Sequence, residues 1–405
     1  MLNNILDSMQ KHKKNIWVMY NNEGSDKYFS RYISDKIETL GICIISKNKT
    51  YVISHELDCS NINDIKYSDN KIVFRTFKNN NELDEIVEDV IADLNFPNEI
   101  SLSYSTIGDK ATDILSHGDY IYITKLLRKP YKKYSKRLKF SSAENIIYDI
   151  ASKKNDKQIF RLKVISNITV KILEETIKKI KVGMSEIDIQ ELTKITTKNM
   201  VEKNIGENEI KEFDFAWDNC PIVLTGSNLT KGGHSLPSDK LLNKGETIYF
   251  DFGIKVTFED NESLYTDIQR MAYVLNDNEK KAPKNVEKVF NTLVNSIEDG
   301  IDAMKPGVKG YVIDNIVRQK ILKEGYPDYN HATGHPVGLE VHDIGTVISI
   351  KTSKRANLDL VENAVYTLEP RVNISNGGSI EEMIQVTKYG GIPICETQKE
   401  LYIVK

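Results

Sequence analysis

The groups best suited to binding a metal are concentrated between residues 331 and 345. This segment, HATGHPVGLEVHDIG, contains three of the seven histidines in the chain. Acidic residues stand in or beside four other apolar, strand-like segments. The histidines are His331, His335 and His342, and the acids are Asp251, Asp267, Glu369, Glu381 and Glu382. Carboxylates hold hard divalent ions, and imidazole adds affinity for first-row metals. Acids and imidazoles that converge from separate strands could hold two metals that activate water for hydrolysis.

Each of these residues also has an ordinary structural explanation. The carboxylate of Asp251 lies in the apolar run IYFDFG, where burial is costly unless the group is paired or bound to a metal. Asp267 could be neutralised by Arg270, three residues later. Glu381 and Glu382 are adjacent, so only one of them can face inward on a strand. The joint occurrence of Asp, Asp, His, Glu and Glu, in that order, favours a metal site over these separate explanations.

The elements that must position these residues lie in the second part of the chain. Residues 1–135 alternate helical and strand patterns, which predicts a smaller α/β domain. The segment 136–156 is charged and lacks a strand pattern, so we expect a linker and a connecting helix. Residues 157–405 combine long helical patterns with many short strands and predict an α+β domain.

Composition excludes several classes of protein. At 405 residues the chain is long enough for more than one core, and its net charge of −3 gives no sign of a nucleic-acid or membrane surface. Its apolar runs are far shorter than a membrane span. The first residues lack the pattern of a signal peptide, and Cys43, Cys59, Cys220 and Cys395 form no CxxC pair. We therefore expect a cytoplasmic protein with free thiols.

The order and local motifs of the acids and histidines resemble the pita-bread metallopeptidase family, in its aminopeptidase P and prolidase branch. The resemblance covers roughly residues 155–405. Five motifs carry it: Asp251 in Asp-x-Gly, Asp267 in Asp-Ile-x-Arg, His335 in His-x-x-x-His, Glu369 in Glu-Pro, and Glu381 in Ile-Glu-acid. The implied fold is a curved antiparallel sheet with helices on its outer face. The N-terminal domain matches the family only in size, position and α/β character.

The resemblance also implies a role for each residue. Asp251 would bind one metal, His335 and Glu369 the other, and Asp267 and Glu381 would bridge the two. Two divalent ions per chain are expected, with manganese first and cobalt or zinc as alternatives. Three further assignments follow: His234 and His342 as catalytic residues that hold the substrate and stabilise the intermediate, Glu369 as the residue that moves protons, and His331 as a substrate-binding residue near the proline site.

The expected activity is hydrolysis of the N-terminal Xaa-Pro bond by a hydroxide that bridges the metals. Substrates would be short peptides with proline at the second position, and the protein would be a homodimer assembled through the N-terminal domain, which also limits access. A prolidase acting on dipeptides is the alternative, and a fixed arginine near the pocket would favour it. A catalytically silent binding module and a metal-independent, creatinase-like amidinohydrolase are disfavoured by the intact ligand set.

Three features depart from the family pattern. Asp267 lies sixteen positions after Asp251, which predicts a lengthened hairpin loop. The stretch FAWDNCPIVLTGSN replaces a simpler apolar one, and Ser379 stands where the family often has an arginine. Arg371 lies two residues after Glu369 and so shares its face on a strand, whereas Arg270 lies at odd spacing from Asp267. Arg371 is therefore predicted to hold a ligand carboxylate in place of the missing arginine.

Overall fold

The computed structural model describes residues 2–58, 72–231 and 235–405. The chain divides into two compact units, Met1–Ile150 and Ala151–Lys405. The division falls inside the predicted connecting segment, 136–156. Two residues named above, Cys59 and His234, lie outside the described residues.

The first unit is built on a mixed sheet with strand order β4-β3-β2-β1-β5-β6. Its strands are β1 Ile16–Asn22, β2 Leu40–Ser46, β3 Thr50–His55, β4 Ile72–Phe77, β5 Glu99–Leu102 and β6 Lys139–Ser142. Its helices are α1 Leu2–Lys11, α2 Lys27–Tyr32, α3 Asn80–Asp93, α4 His117–Lys133 and α5 Glu144–Ala151. The pairs β1–β2 and β2–β3 are antiparallel, and the remaining pairs are parallel.

The alternation of helices and strands predicted for residues 1–135 is present in the first unit. It includes the antiparallel pair of β2 and β3, and α3, whose apolar residues recur at helical spacing and are buried. The sequence analysis was wrong to predict no strand between residues 136 and 156, because β6 pairs with β5 there. This strand is a four-residue edge strand, KFSS, with no fully buried side chain. Because no side chain of β6 is fully buried, its sequence shows no alternation of apolar and polar residues that would predict a strand.

The second unit contains four small sheets and four long helices among its described residues. The sheets have strand orders β18-β12-β9-β8, β13-β16-β17, β11-β10-β7 and β14-β15. The helices are α6 Asp156–Ile177, α7 Glu186–Val201, α8 Lys284–Ala303 and α9 Gly310–Lys323. The strands are β7 Ile210–Phe215, β8 Ile222–Thr225, β9 Thr247–Phe252, β10 Ile254–Phe258, β11 Ser263–Tyr265, β12 Ile268–Val274, β13 Val365–Leu368, β14 Arg371–Val372, β15 Gly378–Ser379, β16 Glu382–Thr387, β17 Gly390–Pro393 and β18 Tyr402–Val404.

A reciprocal side-chain cap and a glycine turn mark the boundary between α6 and α7. Ser185 caps α7 by accepting the N–H of Asp188, and the Asp188 carboxylate accepts the N–H of Ser185 in return. Gly183 adopts a positive φ of 88° in the turn between α6 and α7, a conformation that glycine adopts without strain. Within the described part of the chain, no helix has both the length and the apolar composition needed to cross a bilayer.

The alternation of β9 separates the core from the charged face of the sheet. Ile248, Phe250 and Phe252 are fully buried in the core cluster that also contains the apolar faces of α6 and α7. Tyr249 and Asp251 point to the opposite face, because successive side chains on a strand alternate. The register of the antiparallel pair β9–β12 places Asp251 directly opposite Gln269.

The sixteen-residue spacing between Asp251 and Asp267 is explained by the hairpin of β10 and β11. These strands pair with each other antiparallel, and β10 also pairs with β7. The chain crosses tightly at the base of this hairpin, where a Cβ on Gly253 would lie 2.1 Å from the carbonyl oxygen of Thr266. Glycine is therefore required at this position, and the predicted lengthened hairpin is confirmed.

In the first unit, the buried carboxylate of Asp26 caps α2, and its burial disfavours the ionised form. Asp26 is 0% exposed, and its Oδ1 accepts the N–H groups of Tyr28 and Phe29 at 2.9 and 3.0 Å. Its Oδ2 is buried without a hydrogen-bond donor among the described residues. Burial raises the pKa of Asp26 from 3.8 to about 6, although the helix N–H groups oppose the shift. The folded first unit therefore favours the protonated form of this side chain.

We expect Asp26→Asn to stabilise the first unit at neutral pH but not at pH 4. The folded-state pKa exceeds the unfolded one, so the cost of ionising Asp26 is absent below pH 4 and complete above pH 6. Asparagine keeps the capping oxygen and removes the charge. The free energy of unfolding should rise by roughly 1–3 kcal/mol at pH 7.5.

Urea unfolding followed by Trp17 fluorescence would measure this change. The chain has two tryptophans, so a Trp217→Phe background isolates the signal of Trp17, which is fully buried in the first unit. Asp89→Asn, on the exposed face of α3, is the matched control and should change little at either pH. A gain of equal size at pH 4 and pH 7.5 would contradict the ionisation argument.

Candidate active site

A buried group of acids surrounds the imidazole of His335. Its Nε2 lies 3.5 Å from Asp267 Oδ2, 3.7 Å from Glu369 Oε1 and 3.9 Å from Glu381 Oε1. Asp251 reaches the same group from β9, and its Oδ2 accepts the hydroxyl hydrogen of Tyr249 at 2.9 Å. The five residues that the sequence proposed as ligands therefore converge on one place in the second unit.

The sheet brings three polar side chains into a row across neighbouring strands. Asp251 on β9 faces Gln269 on β12, and Gln269 forms an isolated antiparallel bridge with Glu381, just before β16. Residues directly opposite one another in a ladder have side chains on the same face. Asp267 lies two residues before Gln269 and points the same way. Backbone pairing therefore fixes the spacing of these carboxylates.

His335 lies on a loop that runs against β13. Its N–H donates to Thr367 Oγ1 at 3.1 Å, and its carbonyl oxygen accepts the N–H of Thr367 at 2.8 Å. The N–H of Glu369 donates to the carbonyl oxygen of Thr333 at 2.7 Å. Glycine is required at position 334, because a Cβ there would lie 2.0 Å from the carbonyl oxygen of Thr367. This close approach places His335 beside Glu369.

A backbone contact fixes the orientation of the His335 ring. Its Nδ1 lies 3.1 Å from the carbonyl oxygen of Pro336. A carbonyl oxygen can only accept a hydrogen bond, so Nδ1 carries the proton and Nε2 faces the acids. This is the arrangement that a neutral histidine needs to offer Nε2 to a metal.

The carboxylates perturb one another because they are close together and removed from water. Burial raises the pKa of Asp251 well above its ordinary value, and the charges of Asp267 and Glu369 raise it further. Burial and the same two charges also raise the pKa of Glu381. Burial raises the pKa of Glu369 to about 7, against the opposing influence of His335. Burial lowers the pKa of His335, but Asp267 and Glu369 outweigh it and raise the value to about 9.

The donor set fits a divalent metal centre. Three buried carboxylate oxygens, Asp267 Oδ1 and both oxygens of Glu381, have no hydrogen-bond donor among the described residues. Buried oxygens without a donor are costly, and a bound cation would satisfy them. Asp267, His335 and Glu381 each offer a ligand atom within 4.8 Å of the others. Carboxylate oxygens with one imidazole suit manganese, cobalt or zinc.

The acids open into a cavity of about 680 Å³. Its wall includes His331 and His342. The edge of the His342 ring meets the His335 ring, with the centroids 4.3 Å apart and the planes at 84°. The His331 ring packs at 4.8 Å from Tyr329, and its Nδ1 lies 2.7 Å from the carbonyl oxygen of Ala332. The predicted substrate-binding and catalytic histidines within the described residues therefore share the cavity with the acids.

Arg270 and Glu382 form an ion pair on the face of the sheet that points away from the cavity. Nη1 and Nη2 of Arg270 lie 3.1 and 3.2 Å from the two carboxylate oxygens of Glu382. Both side chains are buried, and Arg270 also donates to the carbonyl oxygen of Glu381 at 3.0 Å. The structure therefore contradicts an ion pair between Arg270 and Asp267. It also assigns Glu381, not Glu382, to the cavity side.

Arg371 faces the cavity as predicted, but its observed hydrogen bonds are not to a carboxylate. It is buried, and its Nη2 donates to the carbonyl oxygens of Leu229 and Lys231 at 2.8 and 3.2 Å. Ser379 donates to the carbonyl oxygen of Pro370 at 2.8 Å. Arg371 thus ties β14 to the segment before residue 232. The prediction that Arg371 holds a ligand carboxylate is wrong, although its positive charge partly opposes the rise in the pKa of Glu369.

Sequence reasoning did not single out three residues of the cavity wall: Tyr249, Gln269 and Arg355. Two of them could have been found from strand alternation, since Tyr249 lies two residues before Asp251 and Gln269 two residues after Asp267. Arg355 begins a three-residue 3₁₀ helix, Arg355–Asn357, which is too short for periodicity to give information on direction. Its Nε and Nη2 donate to the carbonyl oxygen of Gly345 at 2.9 and 2.7 Å, which holds the guanidinium in place.

An α+β fold that gathers carboxylates and an imidazole beside one cavity is typical of metal-dependent hydrolases. The chain belongs to metallopeptidase family M24, whose sequence model matches residues 161–388. The predicted family and the prediction of an enzyme are therefore confirmed.

Relatives and solved structures agree with this family assignment. The chain is 27% identical to an Xaa-Pro dipeptidase of Pyrococcus horikoshii over 298 residues, 73% of this chain and 75% of the relative. An X-Pro aminopeptidase from Thermotoga maritima superposes with a TM-score of 0.64 at 23% identity, covering 98% of this chain and 100% of that one. An Xaa-Pro dipeptidase from Bacillus anthracis gives 0.65 at 20% identity, covering 100% and 99%. These likenesses confirm the predicted pita-bread fold.

We expect Arg270→Met to destabilise the second unit strongly, because it leaves the charge of Glu382 buried and unpaired. Loss of one partner of a buried ion pair costs about 3–5 kcal/mol. The double variant Arg270→Met/Glu382→Met removes both charges and should lose clearly less than the single variant. Urea unfolding followed by Trp217 fluorescence in a Trp17→Phe background would measure both. A double variant less stable than Arg270→Met alone would contradict the argument.

Proposed function

We propose that the chain is a metal-dependent peptidase that hydrolyses the bond between an N-terminal residue and a following proline, with dipeptides preferred. The convergence of Asp251, Asp267, His335, Glu369 and Glu381 beside one cavity carries this proposal. The names of the relatives in Pyrococcus horikoshii and Bacillus anthracis support the proline specificity. All five proposed ligands are present together, which argues against a catalytically silent binding module.

The proposed ligand set divides between two divalent ions. Asp251 would hold one ion, His335 and Glu369 the other, and Asp267 and Glu381 would contact both. Asp267 Oδ1 and both oxygens of Glu381 have no hydrogen-bond donor among the described residues, so these carboxylates have oxygens available to bind cations. When bound, the ions would supply a water of lowered pKa and a Lewis acid for the peptide carbonyl. Manganese is the proposed metal.

The protein side chains around the ligands would move protons and stabilise charge. Glu369 lies beside the proposed metal positions, where its carboxylate would accept a proton from the attacking water and pass it to the proline nitrogen as the peptide bond breaks. His342 stands edge-on to His335 on the cavity wall, where it could donate to the oxyanion that develops on the carbonyl. We assign His331 to the pocket for the proline ring. His234 remains a proposed catalytic residue on the basis of the sequence.

Arg355 favours dipeptides over longer substrates. The sequence analysis predicted that a fixed arginine near the pocket would mark a dipeptidase, and Arg355 lies on the cavity wall. Its bonds to the carbonyl oxygens of Gly345 and Asp343 hold it in position. A dipeptide carries its carboxylate on the proline itself, and a guanidinium beside the pocket would attract that charge. In a longer peptide the same position is a neutral amide.

The remaining predictions concern the setting of the enzyme. A homodimer, a role of the first unit in assembly and access, and a cytoplasmic location are all compatible with the composition of the chain, and they stay predictions.

We expect Asp267→Asn to abolish most activity without weakening the metal-free fold. The variant loses a carboxylate shared by both proposed metal positions, so kcat/KM for Ala-Pro should fall by more than about 100-fold. It also removes one charge from a crowded group of acids, so the metal-free protein should melt at the same temperature as wild type or higher. Metal content, activity with added manganese, and thermal melting in chelator would be measured on each protein.

Asp214→Asn is the matched control for this variant. Asp214 is an exposed acid on β7 of the same unit, so metal content and activity should match those of wild type. Full activity in Asp267→Asn, or in metal-stripped wild type, would refute the metal-site proposal.

We expect Arg355→Met to impair hydrolysis of Ala-Pro much more than hydrolysis of its amide, Ala-Pro-NH2. Truncating one partner of a charge-assisted pair costs about 2–5 kcal/mol, so kcat/KM for Ala-Pro should fall at least about 30-fold. The amide carries no carboxylate and should be affected little. Steady-state kinetics with both substrates, and with Ala-Pro-Ala and Ala-Ala-Ala on wild type, would test this.

The two substrates control for structural damage, because Arg355 also holds the carbonyl oxygens of Gly345 and Asp343. An equal loss on Ala-Pro and Ala-Pro-NH2 would show a structural role and remove the support for dipeptides. Wild-type cleavage of Ala-Pro-Ala in preference to Ala-Pro would indicate an aminopeptidase acting on longer peptides. Comparable cleavage of Ala-Ala-Ala would reject proline specificity.

A further inference from the structure

Gln269 is one of the polar side chains on the cavity wall that the sequence analysis did not single out. It lies on β12 between Asp251 and Glu381 in the row across the sheet, and it is only 4% exposed. Its Nε2 donates to Glu369 Oε2 at 3.1 Å. The other oxygen of the same carboxylate, Oε1, lies 3.7 Å from His335 Nε2. Gln269 therefore holds one oxygen of Glu369 while the other faces the imidazole.

The orientation of the Gln269 amide is dictated by Glu369. Turning the amide over would place its oxygen against a carboxylate oxygen, which is repulsive. In the observed orientation Gln269 Oε1 is buried without a hydrogen-bond donor among the described residues. An acceptor left in this state costs about 1–3 kcal/mol. A methionine of similar shape would avoid that cost but would leave Glu369 Oε2 without its donor, so the two effects on stability oppose each other.

Ser379 stands where the family often has an arginine that would contact a ligand carboxylate. The hydrogen bond from Gln269 to Glu369 supplies such a contact from another strand. The arginine expected at that position is absent, and Arg371 directs its Nη2 to the carbonyl oxygens of Leu229 and Lys231. Among the described residues, the side-chain amide of Gln269 is the hydrogen-bond donor to the Glu369 carboxylate. A ligand carboxylate with a fixed partner loses less freedom when it binds a metal.

We propose that Gln269 is a positioning residue that fixes the Glu369 carboxylate for metal binding and proton transfer, in the role expected of the missing arginine. This inference rests on the part of the proposed function that makes Glu369 a metal ligand. It does not depend on the identity of the peptide substrate.

The test compares Gln269→Met with Gln385→Met in the full-length chain. Methionine keeps the length of glutamine and removes its donor and acceptor. Gln385 on β16 is the matched control, because its Nε2 also donates to a side-chain oxygen, Asn363 Oδ1, at 3.1 Å. Manganese affinity would be measured by calorimetry on metal-stripped protein, thermal melting in chelator, and kcat and KM for Ala-Pro at saturating manganese.

We expect Gln269→Met to bind manganese about 10–100-fold more weakly than wild type and Gln385→Met. Its metal-free melting temperature should stay close to that of wild type, because the loss of an unsatisfied oxygen and the loss of the donor to Glu369 oppose each other. At saturating manganese, kcat should fall while KM changes little, since Glu369 acts on the proton and not on peptide binding.

Unchanged manganese affinity in Gln269→Met would overturn the inference. A lower metal-free melting temperature, with KM and kcat affected together, would also overturn it, since that result describes a structural residue. Wild-type protein that binds no manganese, cobalt or zinc would instead refute the proposed metal site, and the two failures are thereby distinguished.

Discussion

The mutual repulsion of buried carboxylates is the constraint on which the second unit depends. Asp251, Asp267, Glu369 and Glu381 share one space with His335, and burial together with their neighbours' charges raises the pKa of Asp251 and Glu381. Without a cation, such a group would favour protonation or separation. It stays together because the acids are attached to paired strands and to a loop held against β13, and backbone hydrogen bonds do not weaken when the side chains repel.

The same strands serve two chemically opposite environments. On β9, Ile248, Phe250 and Phe252 pack with α6 and α7, while Tyr249 and Asp251 face the cavity. At the start of β16, Glu381 joins the acids and its neighbour Glu382 pairs with Arg270 on the other face. Because side chains alternate along a strand, these two adjacent carboxylates lie on opposite faces. Glu382 is neutralised inside the protein, and Glu381 is available to bind a ligand. Apolar packing on one face stabilises a site that is unfavourable on the other.

Binding and stability are therefore coupled at this site. The metal-free fold is destabilised by buried oxygens that have no hydrogen-bond donor among the described residues. These are Asp267 Oδ1, both carboxylate oxygens of Glu381 and Gln269 Oε1. A ligand that binds only the folded state stabilises it by mass action. The same polar groups therefore lower the stability of the metal-free protein and would give it affinity for a cation. Hydrophobic replacements would stabilise the fold but would weaken cation binding.

The sequence alone determined the family, the α+β class and the identity of the acids and histidine, because metal chemistry restricts residue types and strands impose a period of two. The odd spacing between Asp267 and Arg270 also indicated opposite faces of the strand for these two side chains. Tertiary structure decided what local pattern does not contain. The partner of Glu369 is Gln269, which comes from a different strand, and Arg371 bonds to carbonyl oxygens about 140 residues away in sequence. Edge strand β6 and the direction of Arg355 likewise depend on backbone contacts between distant segments, which leave no periodic signal in side-chain type.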